Sequence, residues 1–200
     1  MKQTLGTAFI ALACVALTSC ASISLVKPGT VEIENTYTVE TNTAWNRMSG
    51  QVDDLWTLDG PLVQAIYFYT GIEEGENIFQ NPGSDNGPDA KYKNMPKFKK
   101  GMTAFDISEM VVATLAQSKA SDIQVVSLTK AEFGNRDGFR FELRYKDAES
   151  LERKALVFGT AQNDRLHLIL YQAPAMYYFD RDKARVEQIF KSVRFLDRSA

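Results

Sequence analysis

The most regular pattern in the chain lies at residues 139–146 and limits how it can fold. Apolar and charged side chains alternate there, with Phe139, Phe141, Leu143 and Tyr145 interleaved with Arg140, Glu142, Arg144 and Lys146. A period of two residues is the signature of a β-strand with one apolar face and one polar face. The pattern therefore predicts a strand whose charged face meets water.

The same period recurs along the second half of the chain and predicts an antiparallel meander. Strands are expected at 123–133, 139–146, 154–160 and 166–171. Asp137-Gly138 is a hairpin signal, and a turn is expected at 162–164. In the first half, loose alternation at 31–39 and apolar segments at 55–58 and 62–72 predict three further strands.

Two helices are predicted between and after these strands. Thr103 followed by Asp106 is an N-terminal capping signal, and the apolar spacing that follows predicts a helix ending near Ala120. A second helix is expected from about Asp180. Runs of neighbouring strands favour hairpins over parallel crossovers. The expected fold class is α+β, with a single antiparallel sheet of about six or seven strands and two main helices packed on it.

Residues 1–20 have the features of a bacterial lipoprotein signal peptide. Lys2 precedes an uncharged segment at 5–17 that is apolar or small; as a helix it spans about 20 Å, too short to cross a bilayer core. Leu17-Thr18-Ser19-Cys20 resembles the lipobox of bacterial lipoproteins. This predicts cleavage before Cys20 and membrane attachment through acyl chains on its thiol. The alternative is an ordinary signal peptide that contains a cysteine.

The expected organisation is a lipoprotein signal peptide at 1–19, a lipidated tether at 20–29 and one periplasmic α+β domain at 30–200. Ala21 follows Cys20, and by resemblance to enterobacterial sorting rules this implies the periplasmic side of the outer membrane. The mature chain of 181 residues suits a single domain.

Composition excludes several kinds of site. Removal of residues 1–19 moves the formal net charge from −2 to −3, and nucleic-acid binding calls for a basic excess. Cys14 leaves with the signal peptide and Cys20 is acylated, which leaves no thiol for a disulfide or a metal. No cofactor is predicted.

The sequence contains no convincing catalytic constellation. His167 is the single histidine, no Gly-x-Ser-x-Gly elbow is present, and His167 is predicted to pack on a strand with Ile169 and Tyr171. The acidic pairs are expected to be solvated rather than a glycosidase pair; they are Asp53-Asp54, Glu73-Glu74 and Asp180-Asp182. We therefore predict no catalytic and no metal-binding residue.

Two sets of residues carry binding hypotheses. A local excess of lysine predicts a contact for an anionic surface or an acidic envelope partner, through Lys91, Lys93, Lys97, Lys99 and Lys100. The alternative, which we favour, is a soluble loop pinned to the core by its aromatic residues. A second set fits a hydrophobic core better than a ligand pocket; it comprises Tyr67, Phe68, Tyr69, Tyr171, Tyr177, Tyr178 and Phe179.

The order of elements and the closing segment resemble the PsbP-like α/β fold, named for the extrinsic photosystem II protein. Phe190-Lys191-Ser192-Val193-Arg194-Phe195 and the strand-rich middle carry this resemblance. The chain is also similar to uncharacterised proteobacterial lipoproteins at 56–60, 138–142 and 172–174. The first likeness implies the fold, the second implies the cell envelope, and neither implies a reaction.

Three functions follow, in order of preference. The first is a non-enzymatic, membrane-anchored protein that binds or scaffolds another envelope component. The second is a carrier of a small hydrophobic ligand or lipid in an aromatic pocket. The third is a hydrolase that depends on a carboxylate pair. Fold alone does not decide among them.

Overall fold

The computed structural model describes residues 22–49, 54–78 and 95–196. Within them the elements are β1 (Ser22–Val26), β2 (Gly29–Ile33), β3 (Tyr37–Thr41), β4 (Trp45–Ser49), β5 (Asp54–Thr57), β6 (Ala65–Ile72), α1 (Ala104–Gln117), β7 (Ser121–Glu132), β8 (Asp137–Lys146), β9 (Glu152–Gln162), β10 (Arg165–Pro174), α2 (Tyr178–Lys191) and β11 (Arg194–Phe195). Cys20, Asp53, Lys91 and Lys93 lie outside the described residues.

The strands form two sheets rather than one. The main sheet has eight strands in the order β1-β4-β5-β6-β10-β9-β8-β7, and a second sheet has three in the order β11-β3-β2. Every strand pair in both sheets is antiparallel. The α+β class and the antiparallel pairing are confirmed, whereas the prediction of a single sheet of six or seven strands is wrong.

Seven strands were predicted and eleven are present among the described residues; two local features account for two of the four extra strands, and the other two are β4 and β11. The segment predicted as one strand at 31–39 is a hairpin, because Glu34 and Asn35 have φ values of 45° and 48° and reverse the chain. The N–H of Thr36 closes this turn by donating to the carbonyl of Ile33 over 2.9 Å, as in the tight turns that connect two-residue hairpins. The predicted tether contains β1, which pairs along its whole length with β4.

The main sheet is covered on both faces. On one face, which we call the α2 face, Trp56, Phe68 and Tyr171 share a buried cluster with apolar residues of α2 and of the small sheet. On the other, the α1 face, Phe141 and Leu143 pack with apolar residues of α1 and of the segment around Phe98. α1 contacts β7 and β8, which lie at one edge of the sheet.

The predicted capping box begins α1 as expected. Thr103 Oγ1 accepts the N–H of Asp106 over 3.2 Å, and Asp106 Oδ2 accepts the N–H of Thr103 over 2.8 Å. Each residue thereby satisfies an amide that the first helical turn leaves without a partner.

The charged face of β8 does not simply meet water. Arg140 pairs with Glu187 of α2, and Glu142 pairs with Lys183 of α2, both over 2.8 Å. These four side chains are all partly buried. The alternating charges of β8 therefore match charges on the helix that crosses the sheet.

His167 supports an irregularity in β6. The pairing of β6 with β10 shifts by one residue between Leu168 and Leu166, and Gly71 at this point has a φ of +66°, a conformation that glycine adopts readily. The N–H of Gly71 donates to His167 Nδ1 over 3.1 Å. The ring is buried between Tyr37 and Phe195, which agrees with the predicted structural role.

This burial generates a prediction about stability and pH. Burial, with smaller contributions from Arg136 and Arg165, lowers the pKa of His167 from 6.5 to about 4. As pH falls below 6.5, the histidine of the unfolded chain becomes protonated, whereas that of the folded chain stays neutral until about pH 4. Protonation therefore stabilises the unfolded state alone over this interval, and the free energy of unfolding decreases. For this one histidine, the free energy of unfolding decreases by about 3 kcal/mol in total.

We expect His167→Gln to be less sensitive to pH than the parent between pH 6.5 and 4, as measured by urea unfolding. The amide of glutamine keeps an acceptor for Gly71 and does not titrate. Both proteins have the same carboxylates, so the difference between their stability curves reports the titration of His167. Parallel stability curves for the two proteins would contradict this role of His167.

Candidate interaction surface

One end of the main sheet presents exposed apolar side chains on three loops. The loops are residues 58–64 between β5 and β6, residues 147–151 between β8 and β9, and residues 175–177 between β10 and α2. Their exposed fractions are 89% for Leu62, 47% for Leu151, 85% for Met176 and 65% for Tyr177. We call this set of four side chains the tip surface. Clustered exposed apolar side chains mark interaction sites more often than isolated ones.

Arg153, at the start of β9, holds two of these loops. Its guanidinium is buried and donates from Nη2 to the carbonyl of Val63 over 3.0 Å and from Nη1 to that of Leu62 over 3.3 Å. Nη1 also lies 3.4 Å from Oδ2 of Asp147. The planar fork of arginine permits several such bonds at once. Arg153 therefore fixes the backbone of the loop that carries Leu62. Its positive charge is balanced by Asp147, which belongs to the loop that carries Leu151.

Asp147 organises the second loop and brings it to the third. Its Oδ1 accepts the N–H of Glu149 over 3.1 Å and of Leu151 over 2.9 Å. The N–H of Ala175 donates to the carbonyl of Glu152 over 2.8 Å. Leu151 and Met176 are therefore each next in sequence to one of the two residues that this hydrogen bond joins.

Arg181 of α2 ties the third loop to the first. Its guanidinium pairs with Asp59 and donates to buried Asp182 over 2.5 Å. The guanidinium carbon also lies 5.6 Å from the ring centroid of Tyr177 and 5.0 Å from that of Tyr178, within cation–π range. Tyr177 has φ +71° and ψ −62°, the geometry of a classic γ-turn, and the N–H of Tyr178 closes the turn by donating to the carbonyl of Met176 over 2.9 Å. This turn is rare and strained. These contacts hold Tyr177 in this conformation at the tip surface.

A polar network underlies the tip surface on the α1 face. The hydroxyl of Tyr145 donates to Gln172 Oε1 over 2.8 Å, and Gln172 Nε2 donates to the hydroxyl of Tyr67 over 3.3 Å. Burial raises the pKa of Tyr145 to about 12, so this hydroxyl stays a donor at neutral pH. With these polar groups satisfied and the loops pinned, the arrangement offers an apolar surface on a fixed backbone. Its chemistry suits binding.

Three of the five lysines predicted as a contact fall in the described part of the chain, and they lie away from the tip surface. Lys97 and Lys99 are exposed, and Lys100 pairs with Asp164 over 2.9 Å. Phe98 between them is buried, its N–H donates to the carbonyl of Glu76, and its carbonyl accepts from Gly75. Phe98 therefore pins its part of the loop to the core, as the alternative favoured from the sequence expects of the aromatic residues; Tyr92 lies outside the described residues. This segment meets the end of β6, whereas the tip surface lies at its start.

The aromatic set predicted as core does not converge on one cavity. Phe68, Tyr171 and Phe179 lie in the buried cluster of the α2 face, whereas Tyr69 lies in that of the α1 face. Tyr67 and Tyr178 are half-buried. Tyr177 is exposed, so the prediction of a core position is wrong for this residue.

Each acidic pair has a cation beside at least one member. Asp54 is buried against Arg47 at 2.5 Å, and burial, only partly offset by Arg47, raises the pKa of this carboxyl. Glu73 pairs with Arg165, and Asp180 pairs with Lys154. The burial of Asp54 and Asp182 was not expected from the sequence, because the sequence of an acidic pair does not show whether an arginine pairs with it in the folded chain.

Two grooves flank α2. One of about 350 Å³ lies between α2 and the β2–β3 sheet, lined by Thr30, Glu40, Asn42, Arg185 and Gln188 among others. The other, of about 530 Å³, lies between α2 and β7, over Phe158 and Phe190. In the part of the chain that the structure describes, no three His, Cys, Asp or Glu side chains are grouped to hold a metal ion. Neither described helix is long and apolar enough to span a bilayer.

Sequence reasoning missed the tip surface, although a signal was present. Leu62 follows Gly60-Pro61, and Met176-Tyr177 follow Pro174-Ala175. Large apolar residues directly after a turn signal have no strand or helix to bury them, which is the pattern that would have indicated an exposed contact.

Comparison with known proteins bears on the fold. No family model matches the sequence, and no curated protein matches it. Among solved structures, the chain is similar to the solution structure of cyanobacterial PsbP (CyanoP) from Synechocystis sp. PCC 6803, with a TM-score of 0.53 and 13% sequence identity. The match covers 92% of this chain and 99% of that one. The predicted similarity to proteobacterial lipoproteins stays a prediction. At this identity the likeness concerns architecture alone, and the chain has a PsbP-like fold.

Proposed function

We propose that this protein is a lipoprotein of the outer membrane, held on the periplasmic side by acyl chains on Cys20, whose domain binds another envelope protein without catalysing a reaction. The observation that carries the binding role is the tip surface, where three pinned loops present four exposed apolar side chains. The anchor is inferred from the lipobox-like sequence that ends at Cys20.

The tip surface has the energetics of a protein contact. Burying one Leu or Met side chain contributes about 1.5–3 kcal/mol. A partner that covers Leu62 and Met176 would therefore gain several such contributions. Because hydrogen bonds already fix the loop backbone, little conformational freedom is lost on binding.

The start of β1, which follows the proposed anchor, lies apart from the tip surface, so that both can be used at once. Cys20 is two residues before Ser22, and Ser22 pairs with Ser49 at the end of β4. The register through β5 places that end of the sheet level with Phe68 of β6. From Phe68 to Ala65, where β6 begins and the first tip loop ends, is about 10 Å at about 3.3 Å per residue.

The anchor has its own test. We expect a chain with Cys20→Ala, exported behind an ordinary cleavable signal peptide in place of residues 1–19, to move from the membrane fraction to the soluble periplasmic fraction. Its circular dichroism should match that of the parent, since Cys20 precedes the first strand. Mass spectrometry of the parent should find an acylated Cys20 as the first residue. A variant that stays with the membrane, or a parent without acylated Cys20, would refute the anchor.

The binding role is tested by photo-crosslinking in intact cells. A photoreactive amino acid at Leu62 or at Met176 should capture the same envelope protein. Val126 is the matched control, because it is apolar and 60% exposed but lies on the edge strand β7. Capture from Val126 or Lys97, and not from the tip positions, would move the contact away from the tip surface.

The affinity of that contact is expected to depend on the same side chains. Leu62→Ser with Met176→Ser should weaken capture of the partner by about tenfold or more, which corresponds to about 1.4 kcal/mol or more. Unfolding by urea should be almost unchanged, since exposed positions contribute little to stability. Equal capture by parent and double variant would show that these side chains are not the contact.

A further inference from the structure

A second apolar surface lies at the edge of the main sheet, directly after the predicted anchor. In β1, Ile23 is 68% exposed and Leu25 is 61% exposed. Alternate residues of a strand share a face, and Val26, of opposite parity, is buried in the cluster of the α2 face. Ile23 and Leu25 therefore lie on the α1 face of β1.

The register extends this surface across two neighbouring strands. Ile23 is opposite Met48 and Leu25 is opposite Asn46; in turn Met48 is opposite Leu55. We call these five residues the edge face. Thr57, opposite Asn46, is buried and lies outside it. None of the five is charged. The charged residues within β1, β4 and β5 are Arg47 and Asp54, which lie on the other face and pair with each other.

The helix on the same side of the sheet does not cover the edge face. α1 contacts β7 and β8, and the sheet order puts six strand-to-strand steps between β1 and β8. Neighbouring strands twist by about 20° per step, so the faces of β1 and β8 diverge by roughly 120°. This twist turns the edge face away from α1, and it leaves room for a flat surface to approach β1.

We propose that the edge face rests on the lipid bilayer, as a second contact beside the acyl chains; this inference depends on the acylation of Cys20 proposed above. Cys20 lies two residues before Ser22, which limits its reach to about 7 Å. An anchor this close keeps β1 at the membrane. The uncharged edge face is the kind of surface that enters the interface at no cost of charge desolvation.

The test is a scan with an environment-sensitive fluorophore on the mature acylated protein. Cys14 leaves with the signal peptide and Cys20 is acylated, so one introduced cysteine is the single free thiol. The labelled positions are Ile23→Cys, Ser24→Cys, Leu25→Cys, Asn46→Cys and Val126→Cys. The proteins are reconstituted into vesicles of phosphatidylethanolamine and phosphatidylglycerol, with or without nitroxide-labelled lipid.

We expect emission at positions 23 and 25 to shift to the blue and to lose most of its intensity to the quencher, with a smaller effect at 24. Asn46 is separated from the anchor in sequence but lies on the edge face, so it should also be quenched. Val126, on the opposite edge of the sheet, should not change. A smooth decline from 23 to 25, with no quenching at 46, would mean that the anchor alone brings β1 near lipid and would overturn the proposal.

Other occupants of the edge face give different results. A blue shift at position 25 in the acyl-free Cys20→Ser protein without vesicles would mean that the chain itself or a second copy covers the face. Size-exclusion chromatography separates those two outcomes, and either overturns the bilayer contact. Failure of the acylated protein to float with vesicles would instead refute the anchor, so the two proposals fail in distinguishable ways.

Discussion

The buried guanidinium of Arg153 is the interaction on which the tip surface depends. It bonds the carbonyls of Leu62 and Val63 and faces Asp147, so that it links Asp147 to residues 85 and 84 positions earlier in the sequence. Removing one partner of a buried pair of this kind costs about 3–5 kcal/mol, since the other groups keep their desolvation penalty without their bonds. Without this contact the loops would still be near each other, but their apolar side chains would sample many arrangements.

The eight-stranded sheet gives the molecule two exposed apolar surfaces with different surroundings. The edge face is uncharged and follows the predicted acylation site by a few residues. The tip surface lies along the strands from that site and is bordered by ion pairs, Arg153 with Asp147 and Arg181 with Asp59. A bilayer accommodates the first more readily than the second, because charged groups at the second would have to be desolvated. A protein partner can offer hydrogen bonds to such groups, as the polar rims of interfaces do.

Much of the fold was predictable because its signals are local. The meander of β7 to β10 follows from side-chain alternation, and α1 follows from its capping box at Thr103 and Asp106. β1 was missed, because five residues beside a glycine and a proline resemble a tether until β4 pairs with them. The hairpin at Glu34 and Asn35 was missed because Asn35 has no glycine beside it to complete a hairpin signal, and glutamate at 34 is not a turn residue. Pairing of the flanking strands β2 and β3 accompanies the left-handed conformation of both residues.

The candidate site was less predictable than the fold, for a physical reason. Lys97 and Lys99 stood out by composition, yet exposure of a lysine is its ordinary state. Exposure of Leu62 and Met176 is the unusual feature, and it depends on which loops meet at the end of the sheet. The role of Arg153 is likewise invisible in sequence, because its partners at Leu62 and Val63 are backbone carbonyls.

Hydrogen exchange of an Arg153→Lys variant tests the central claim most directly. Lysine keeps the positive charge and most of the aliphatic side chain. It lacks the planar guanidinium that contacts the carbonyls of Leu62 and Val63 and the carboxylate of Asp147 at the same time. The account predicts faster amide exchange in the two loops that Arg153 contacts, 58–64 and 147–151, with α1 unchanged as an internal reference. Faster exchange confined to 147–151, or no change in either loop, would contradict the conclusion that Arg153 joins these two loops.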